Sequence, residues 1–221
     1  MAAMPPFLVN PKTVVIDPGH GGVGRVGGSD GNHAVTASGV LEKNMTLQMA
    51  LLVEAELVRF AGSRITVLLT RRTDVNLSLA ARANVAMDNN ADVLLSIHFN
   101  GFDGRARGVS AHVRRTGNVN HADDTAFAER VQQAVFNAIR RRDPATRDRG
   151  VREMQLGVLS DAAQGNTRAS HPCRSCLLEV EFIDVPAVDV LLNTGPDAAQ
   201  VRREVAAAIS NGILADLAAH P

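Results

Sequence analysis

The sequence is poor in aromatic residues, with seven Phe and neither Trp nor Tyr among 221 residues. Proteins that hold flat ligands on an open face do so by stacking them on aromatic rings. With so few rings, a dedicated carbohydrate-stacking module is not expected. An excess of charge of one sign is also missing, since Lys+Arg and Asp+Glu both number 23. A net charge near zero favours neither nucleic acid nor an anionic membrane as a partner.

Long apolar runs are absent as well. No stretch approaches the roughly 20 residues that a membrane helix needs, so the sequence predicts no membrane span. Residues 1–10 have neither the basic cluster nor the apolar core of a secretory signal, and none is expected there. The remaining balance, 45% hydrophobic and 21% charged, is typical of a globular protein. The length predicts a single domain over residues 1–221, with a core from about 12 to 219.

Cysteine is scarce, because Cys173 and Cys176 are the only two and are spaced C-x-x-C. A closed structural zinc site needs four ligands, and the sequence has no second pair. A redox pair is expected at the start of a helix, whereas Cys176 leads into an apolar, strand-like run. We therefore expect plain structural thiols or a local disulfide.

Apolar, β-branched runs alternate with segments of helical periodicity along the chain. This alternation is typical of an α/β domain with a mostly parallel sheet. We predict a three-layer αβα sandwich, in which a twisted sheet of about six strands has helices on both faces. The predicted strands are residues 13–16, 64–70, 92–97, 108–113, part of 151–159 and 176–183, and the predicted helices are residues 41–60, 77–89, 125–141 and a C-terminal helix over about 201–217.

Three polar residues fall at or near the carboxyl ends of the predicted strands, where binding sites gather in such a sheet, and a fourth begins a helix that faces the same edge. His20 follows the first predicted strand, and His98 follows the third. Glu42 begins a helix after a long glycine-rich loop, and Glu179 lies within the last strand. Two histidines and one carboxylate are a ligand set of catalytic zinc, and a further carboxylate nearby would be the general base.

Each of these residues also has an ordinary structural explanation. A histidine after a strand is often a hydrogen-bonded edge residue, and the helix dipole favours a glutamate in the first turn. Glu179 is harder to explain in this way, because a carboxylate among apolar neighbours is costly to bury unless it is paired or bound to metal. Strand alternation predicts Glu181 on the same face, where each carboxylate would perturb the pKa of the other.

Other polar residues have weaker signals. Asp17 is predicted either to orient a metal-bound histidine or to cap the turn at Pro18. An ordinary surface role is expected for the remaining histidines, although two of them, His33 and His171, lie in long loops near the candidate ligands. These remaining histidines are His33, His112, His121, His171 and His220.

Two motifs resemble those of the Amidase_3-type N-acetylmuramoyl-L-alanine amidases. Residues 14–22 (VVIDPGHGG) resemble the opening motif of that family, and residues 96–101 (SIHFNG) resemble its second-histidine motif. Supporting matches follow in family order, from about residue 13 to 193. They are residues 39–43 (GVLEK), 69–71 (LTR) with Asp74, Leu79 and Arg82, residues 91–92 (AD), 149–151 (RGV) and 177–179 (LLE).

The resemblance implies that His20, Glu42 and His98 bind one zinc ion per chain and that Glu179 is the catalytic carboxylate. It implies a hydrolase that cuts the amide bond between N-acetylmuramic acid and the L-alanine of the stem peptide, with peptidoglycan or muropeptides as substrate. Such a substrate implies the periplasm or cell envelope, although no export signal is visible in the sequence.

Three features depart from the family pattern. Glu181 stands where Gly is usual, Val185 stands where Asn is usual, and residues 162–175 form a longer connection. The longer connection is a lid or a specificity element on one interpretation, and a surface insertion on the other. Two alternatives therefore stay open: a catalytically inactive wall-binding regulator with the same fold, and a zinc hydrolase of another small amide or peptide.

Overall fold

The computed structural model describes residue 8, residues 10–115 and residues 117–221. The prediction about a secretory signal in residues 1–10 lies almost entirely outside the described residues. The strands are β1 (Lys12–Pro18), β2 (Ile65–Leu69), β3 (Val93–Asn100), β4 (Val109–Arg114), β5 (Asp148–Met154) and β6 (Arg174–Phe182). The helices are α1 (Glu42–Ala61), α2 (Leu79–Asp88), α3 (His121–Arg142), α4 (Pro186–Asp189) and α5 (Ala198–Ala219). Short 3₁₀ turns span Gly62–Arg64, Gly157–Leu159 and Asn166–Arg168, and a π turn spans Val190–Thr194.

The strands form one sheet in the order β2-β1-β3-β6-β4-β5. Neighbouring strands are parallel except β4 and β6, which are antiparallel. A parallel strand needs a crossover of a dozen or more residues. Residues 101–108, which join β3 to β4, are too few for that, so β4 returns in the opposite direction. The predicted mostly parallel sheet of about six strands is confirmed.

Helices cover both faces of the sheet, as predicted. Val14 and Ile16 of β1 enter a large core that also receives α1, α3 and α5. Val15, on the other face of the same strand, enters a smaller cluster with α2 and the Gly157–Leu159 turn. This alternation follows from the two-residue period of a strand. The sheet therefore has one face under three long helices and another under a thinner layer.

Boundaries differ from the predicted ones at a few places. The strand predicted within residues 151–159 is β5, which begins earlier, at Asp148, and ends at Met154, and a 3₁₀ turn follows at Gly157–Leu159. The helix α4 has no counterpart among the predicted elements, because four residues are too few to show a helical period. None of the described helices has the length and apolar character needed to cross a bilayer.

The two cysteines and the longer connection before β6 belong to one packed region. Cys173 and Cys176 are free and buried, so of the two expected states they are in the first, plain structural thiols, and not in a local disulfide. Burial raises the pKa of both thiols, which makes them unreactive. Asn166 is buried, and its side chain donates to Asp161 and accepts from the backbone N–H of Cys173. Residues 162–175 thus fold on themselves, and their role in specificity stays a prediction.

Candidate metal centre

Three side chains that the sequence singles out as ligands lie together at the carboxyl edge of the sheet. The ligating atoms of His20, Glu42 and His98 all lie within 4.8 Å of one another. Glu42 Oε1 is 3.2 Å from His20 Nε2 and 3.1 Å from His98 Nδ1. The carboxylate is 1% exposed, whereas the imidazoles of His20 and His98 are 11% and 18% exposed. Solvent therefore reaches the cluster from the histidine side.

His20 is held by its loop rather than by a strand. Its backbone has a φ of 61°, a left-handed conformation that is uncommon outside glycine and often marks a functional site. The carbonyl of His20 accepts a hydrogen bond of 2.7 Å from Arg82, which fixes this conformation. The ring Nδ1 lies 2.9 Å from the carbonyl oxygen of Asp30 and donates to it. Nε2 of the neutral ring therefore presents its lone pair to Glu42.

Glu42 occupies the first position of α1, and backbone donors fix both of its oxygens. Oε2 accepts from the N–H of Ala34 at 2.9 Å, and Oε1 accepts from the N–H of Phe99 at 3.1 Å. Burial alone would raise the pKa of Glu42. Its interactions with His20 and His98 outweigh burial and hold the pKa well below the usual range. The carboxylate is therefore ionised at all physiological pH values.

His98 lies near the end of β3, and its ring packs on Gly19. A Cβ atom at position 19 would lie 2.3 Å from His98 Nε2, far inside contact distance. The N–H of Gly19 also donates to the carbonyl of Ile97, which keeps the two segments side by side. Only glycine fits here, because any side chain would displace the imidazole.

The donor set fits a zinc ion. A neutral imidazole lone pair and a carboxylate oxygen repel each other unless a proton or a metal ion lies between them. His20 Nε2 and Glu42 Oε1 face each other at 3.2 Å in this way. Two imidazole nitrogens and one carboxylate oxygen, partly open to solvent, match the ligands of catalytic zinc with a free position. The residues present therefore suit a divalent zinc ion.

Glu179 lies beside this cluster on β6. It pairs in register with His98 on one side and with Ser110 of β4 on the other. Its Oε2 atom is buried and has no hydrogen-bond partner among the described residues. Burial, and then the negative charge of Glu42, raise the pKa of Glu179 well above the usual range. A raised pKa makes a carboxylate a stronger proton acceptor, which suits a group that has to take up and return a proton.

Asp17 has neither of its predicted roles. The ring of His20 donates to Asp30 instead. Asp17 accepts from Arg82 at 2.8 Å and from Ser96 at 2.7 Å. Burial would raise the pKa of Asp17, but Arg82 and the hydrogen bonds outweigh it and lower the pKa. Asp17 thus anchors the guanidinium of Arg82, which in turn holds the backbone of His20.

Glu181 does not share the environment of Glu179, so the prediction that the two perturb each other is wrong. The register between β3 and β6 shifts just after the pairing of Glu179, which interrupts the alternation. Glu181 is fully buried and accepts from the N–H of Gly108 at 2.6 Å, from Thr146 at 2.8 Å and from Arg107 at 3.3 Å. The raised pKa of Glu179 comes from burial and Glu42.

The other histidines differ in how close they lie to the three candidate metal ligands. His33 is exposed, and its ring centroid is 6.5 Å from that of His20, so it lies next to the cluster. His171 is exposed in the connection before β6. His112, for which a surface role is expected, is buried on β4 at 8% exposure, and its Nδ1 has no partner among the described residues. Burial, then Arg152 and His98, lower its pKa to about 4.

The position of His112 has a sequence signal that the prediction missed. Val109, Ala111 and Val113 alternate with polar residues along β4 and enter the large core. The polar residues between them therefore face the side of the sheet that carries Glu179. A cavity of about 200 Å³ adjoins the three candidate ligands on this side of the sheet. The residues that line it include His20, Gly28, Leu79, His98, Gly157 and Leu177.

Known proteins are similar to this chain in sequence and in fold. An uncharacterized cell wall amidase of Bacillus anthracis is 32% identical over 213 residues, which cover 92% of this chain and 35% of that relative. The chain thus spans about a third of that relative's length. The catalytic domain of CwlV, an N-acetylmuramoyl-L-alanine amidase from Bacillus (Paenibacillus) polymyxa, superposes with a TM-score of 0.70 at 29% identity, over 91% of this chain and 96% of that one.

A second solved structure has a similar fold. The N-acetylmuramoyl-L-alanine amidase of Clostridium difficile 630 superposes with a TM-score of 0.73 at 27% identity, over 93% of this chain and 96% of that one. The family model described as N-acetylmuramoyl-L-alanine amidase matches residues 14–214, which is most of the sequence. The chain belongs to the Amidase_3 family of N-acetylmuramoyl-L-alanine amidases.

Proposed function

We propose that this chain is a zinc-dependent amidase that hydrolyses the bond between N-acetylmuramic acid and the L-alanine of the peptidoglycan stem peptide. One observation carries the proposal: Glu42 Oε1 lies 3.2 Å from His20 Nε2 and 3.1 Å from His98 Nδ1, and His98 pairs in register with Glu179, whose Oε2 atom is buried without a hydrogen-bond partner among the described residues. Membership of the family supports the choice of substrate.

The metal ligands would be His20 through Nε2, Glu42 through Oε1 and His98 through Nδ1, with one zinc ion per chain. When bound, zinc supplies a Lewis acid that acidifies water and polarises an amide carbonyl. Asp30 keeps the Nδ1 proton of His20 in place, so that Nε2 stays available as a ligand.

Glu179 handles the proton in this reaction. Its carboxylate takes a proton from the attacking water as the water oxygen bonds to the amide carbon. It then returns the proton to the nitrogen as the C–N bond breaks, which leaves a carboxylate on the lactyl group and a free α-amine on alanine. Burial and the negative charge of Glu42 raise the pKa of Glu179, which makes its carboxylate a stronger acceptor for the proton of the attacking water.

The two alternatives receive less support. An inactive wall-binding regulator has no need for a buried, unpartnered carboxyl group beside a metal-ligand set, because such a group costs stability. The case for a hydrolase of another amide came from Glu181. Its carboxylate accepts hydrogen bonds from the N–H of Gly108 and from Thr146, and Glu181 is not among the groups that raise the pKa of Glu179.

Purified peptidoglycan provides the test. The zinc-loaded chain is incubated with it, and the products are analysed by mass and by new amino termini. Hydrolysis at alanine by the parent, lost in Glu179→Gln, is the expected result. Bound zinc without any turnover would identify an inactive regulator instead. Turnover of short acylated peptides but not of muropeptides would identify a different substrate.

A further inference from the structure

The segment after β2 contains a buried arginine, Arg71, which takes no part in the proposed reaction. Its side chain belongs to one of the supporting motifs of the family, residues 69–71, and the residue is only 3% exposed. Burial, followed by the positive charge of Arg82, lowers the pKa of Arg71 to about 10, so the guanidinium stays charged at neutral pH. A buried charge is costly unless hydrogen bonds compensate for it.

The guanidinium of Arg71 is compensated by backbone carbonyls. Nε donates to the carbonyl of Pro18 at 3.0 Å. Nη2 donates to the carbonyls of Gly19 and Lys43, each at 2.8 Å, and Nη1 donates to the carbonyl of Thr73 at 3.1 Å. None of these acceptors carries a charge. The planar group with its several fixed donors therefore ties separate backbone segments together.

Two of the tied segments carry proposed metal ligands. Gly19 directly precedes His20 in the loop after β1, and Lys43 directly follows Glu42 in the first turn of α1. A single atom, Nη2 of Arg71, bonds to the carbonyls of both segments. The distance of 3.2 Å between His20 Nε2 and Glu42 Oε1 therefore depends on how Arg71 spaces the loop and the helix.

Thr46 strengthens this connection from the helix side. It is fully buried on α1. Its Oγ1 donates to the carbonyl of Gly19 at 2.8 Å and accepts from Nη2 of Arg71 at 3.1 Å. The loop and the helix are thus joined twice, directly by Thr46 and through the guanidinium.

The third proposed ligand depends on the same backbone. The ring of His98 packs on Gly19 so closely that a Cβ atom at position 19 would lie 2.3 Å from its Nε2. A shift of the carbonyl of Gly19 away from Arg71 would therefore move the surface on which this imidazole rests. Arg71 thus acts on all three ligands through one short backbone segment and the start of α1.

A separate contact keeps the loop attached independently of Arg71. Asp74 accepts from the backbone N–H of Gly22 at 2.7 Å and from Nζ of Lys43 at 2.8 Å. Lys43 Nζ also donates to the carbonyl of Gly22 at 2.7 Å. A change at Arg71 should therefore loosen the spacing at His20 without releasing the whole loop.

We propose that Arg71 is a positioning residue for the metal centre, which holds the three proposed ligands at the spacing that zinc needs before the ion binds. The inference rests on the metal site of the proposed function. In a site that is assembled in advance, the entropy of ordering the ligands is lost on folding and not on zinc binding. Loss of the connection should therefore weaken zinc binding in a chain that still folds.

The zinc affinity of Arg71→Lys tests this proposal. Lysine keeps the positive charge but lacks the planar group of fixed donors, so a changed affinity reports geometry and not charge. We expect the Kd for zinc, measured by competition with a chelator at neutral pH, to rise at least about tenfold. Urea unfolding of the metal-free variant measures its stability separately. A Kd equal to that of the parent, in a less stable chain, would show that Arg71 has only a structural role and would overturn the proposal.

Two further variants complete the experiment. Arg72→Lys is the matched control at the next position, because Arg72 is exposed and pairs with Glu54, and its Kd for zinc should equal that of the parent. Thr46→Val removes the hydroxyl that joins Arg71 to Gly19, and it should raise the Kd in the same direction. If Arg71→Lys does not fold, the Kd of Thr46→Val decides between the same two outcomes.

The two proposals fail in different ways. Hydrolysis of peptidoglycan by the parent, together with an unchanged zinc Kd in Arg71→Lys, would contradict the positioning role and support the proposed function. Zinc binding without hydrolysis in the parent, together with a raised Kd in Arg71→Lys, would contradict the proposed function and support the positioning role. Zinc affinity and turnover are separate measurements on the same full chain, so neither result depends on the other.

Discussion

The imidazole of His98 rests on the α-carbon of Gly19, so that a methyl group at position 19 would lie 2.3 Å from its Nε2. The backbone of Gly19 cannot move away easily. Its N–H donates to Ile97, and its carbonyl accepts from Thr46 and from Arg71, each at 2.8 Å. The missing side chain of Gly19 thus positions a proposed metal ligand that is 79 residues away in the sequence.

Replacing Gly19 by Ala should therefore displace His98. We expect zinc well below one ion per chain and at least about a 100-fold loss of amidase activity, because small misplacements of catalytic groups have effects of that size. The measurements are metal content after dialysis and the rate of peptidoglycan hydrolysis. Gly24→Ala is the matched control in the same loop, since nothing lies within 4 Å of a Cβ there. Normal zinc content in Gly19→Ala would show that the imidazole tolerates the methyl group.

The ligand assignment makes a direct prediction about metal content. His20→Ala, Glu42→Gln and His98→Ala should each reduce bound zinc well below one per chain and remove activity, as should a chelator in the parent. His33→Ala should keep its zinc, although its ring centroid lies only 6.5 Å from that of His20. Metal analysis of the dialysed variants provides the check. Full occupancy in His98→Ala would exclude this residue as a ligand.

Glu179, the proposed acid–base group, should lower the stability of the folded protein. Its pKa is raised by burial and by Glu42, so the folded state disfavours the charged form. This penalty is absent below the ordinary pKa of a glutamate and grows as the pH rises towards the folded pKa. In the metal-free protein, Glu179→Gln should raise the Tm by roughly 2–4 °C at pH 8 and much less at pH 4.

The same variant should lose activity by about 100-fold or more, which is the usual contribution of a general acid–base group. Calorimetric melting curves at the two pH values, together with hydrolysis rates, provide the measurement. Glu54→Gln, at an exposed pair with Arg72, is the control that should change neither. A lower Tm at pH 8 in Glu179→Gln would contradict the destabilising role.

The layered fold and the ligand cluster follow from patterns that are local in the sequence. The β-branched run before Asp17 and the apolar run before His98 predict strands, and parallel strands bring their carboxyl ends to one edge. His20 and His98 are then neighbours because β1 and β3 pair directly. Local periodicity is enough for this part, since one face of each strand must be apolar.

Contacts between distant segments set the features that the sequence does not reveal. Asp17 is bonded to Arg82, which is 65 residues away, and no local pattern links them. Glu181 leaves the face of Glu179 because the register shifts and donors from Gly108 and Thr146 take its oxygens. His112 is buried. The alternation along β4 predicts on which face of the sheet its side chain lies, but not that this face is covered at that point. Such outcomes depend on tertiary packing, which overrides the strand period.

Glu181 should contribute to stability and not to catalysis. Its carboxylate accepts from the backbone N–H of Gly108 and from Thr146, and it faces Arg107, all inside the protein. Glu181→Gln removes the charge from a buried, hydrogen-bonded group, so we expect a loss of about 2 kcal/mol in the free energy of unfolding. Urea denaturation measures this loss. An unchanged midpoint with an altered kcat would instead place Glu181 in the active site, and exposed Glu129→Gln is the control.

His112 should make the folded state sensitive to acid. Its pKa is about 4 in the folded protein because of burial, then Arg152 and His98, and 6.5 is its ordinary value. Between these two values the unfolded chain binds a proton that the folded chain does not, so stability falls as the pH decreases from 6.5 to 4. His112→Gln cannot take up this proton, so its free energy of unfolding should fall by about 2 kcal/mol less than that of the parent between pH 7 and pH 4.5.

Urea unfolding of the metal-free proteins at both pH values measures the difference. Exposed His171→Gln should behave like the parent, and an equal loss in His112→Gln would mean that His112 is protonated in the folded state.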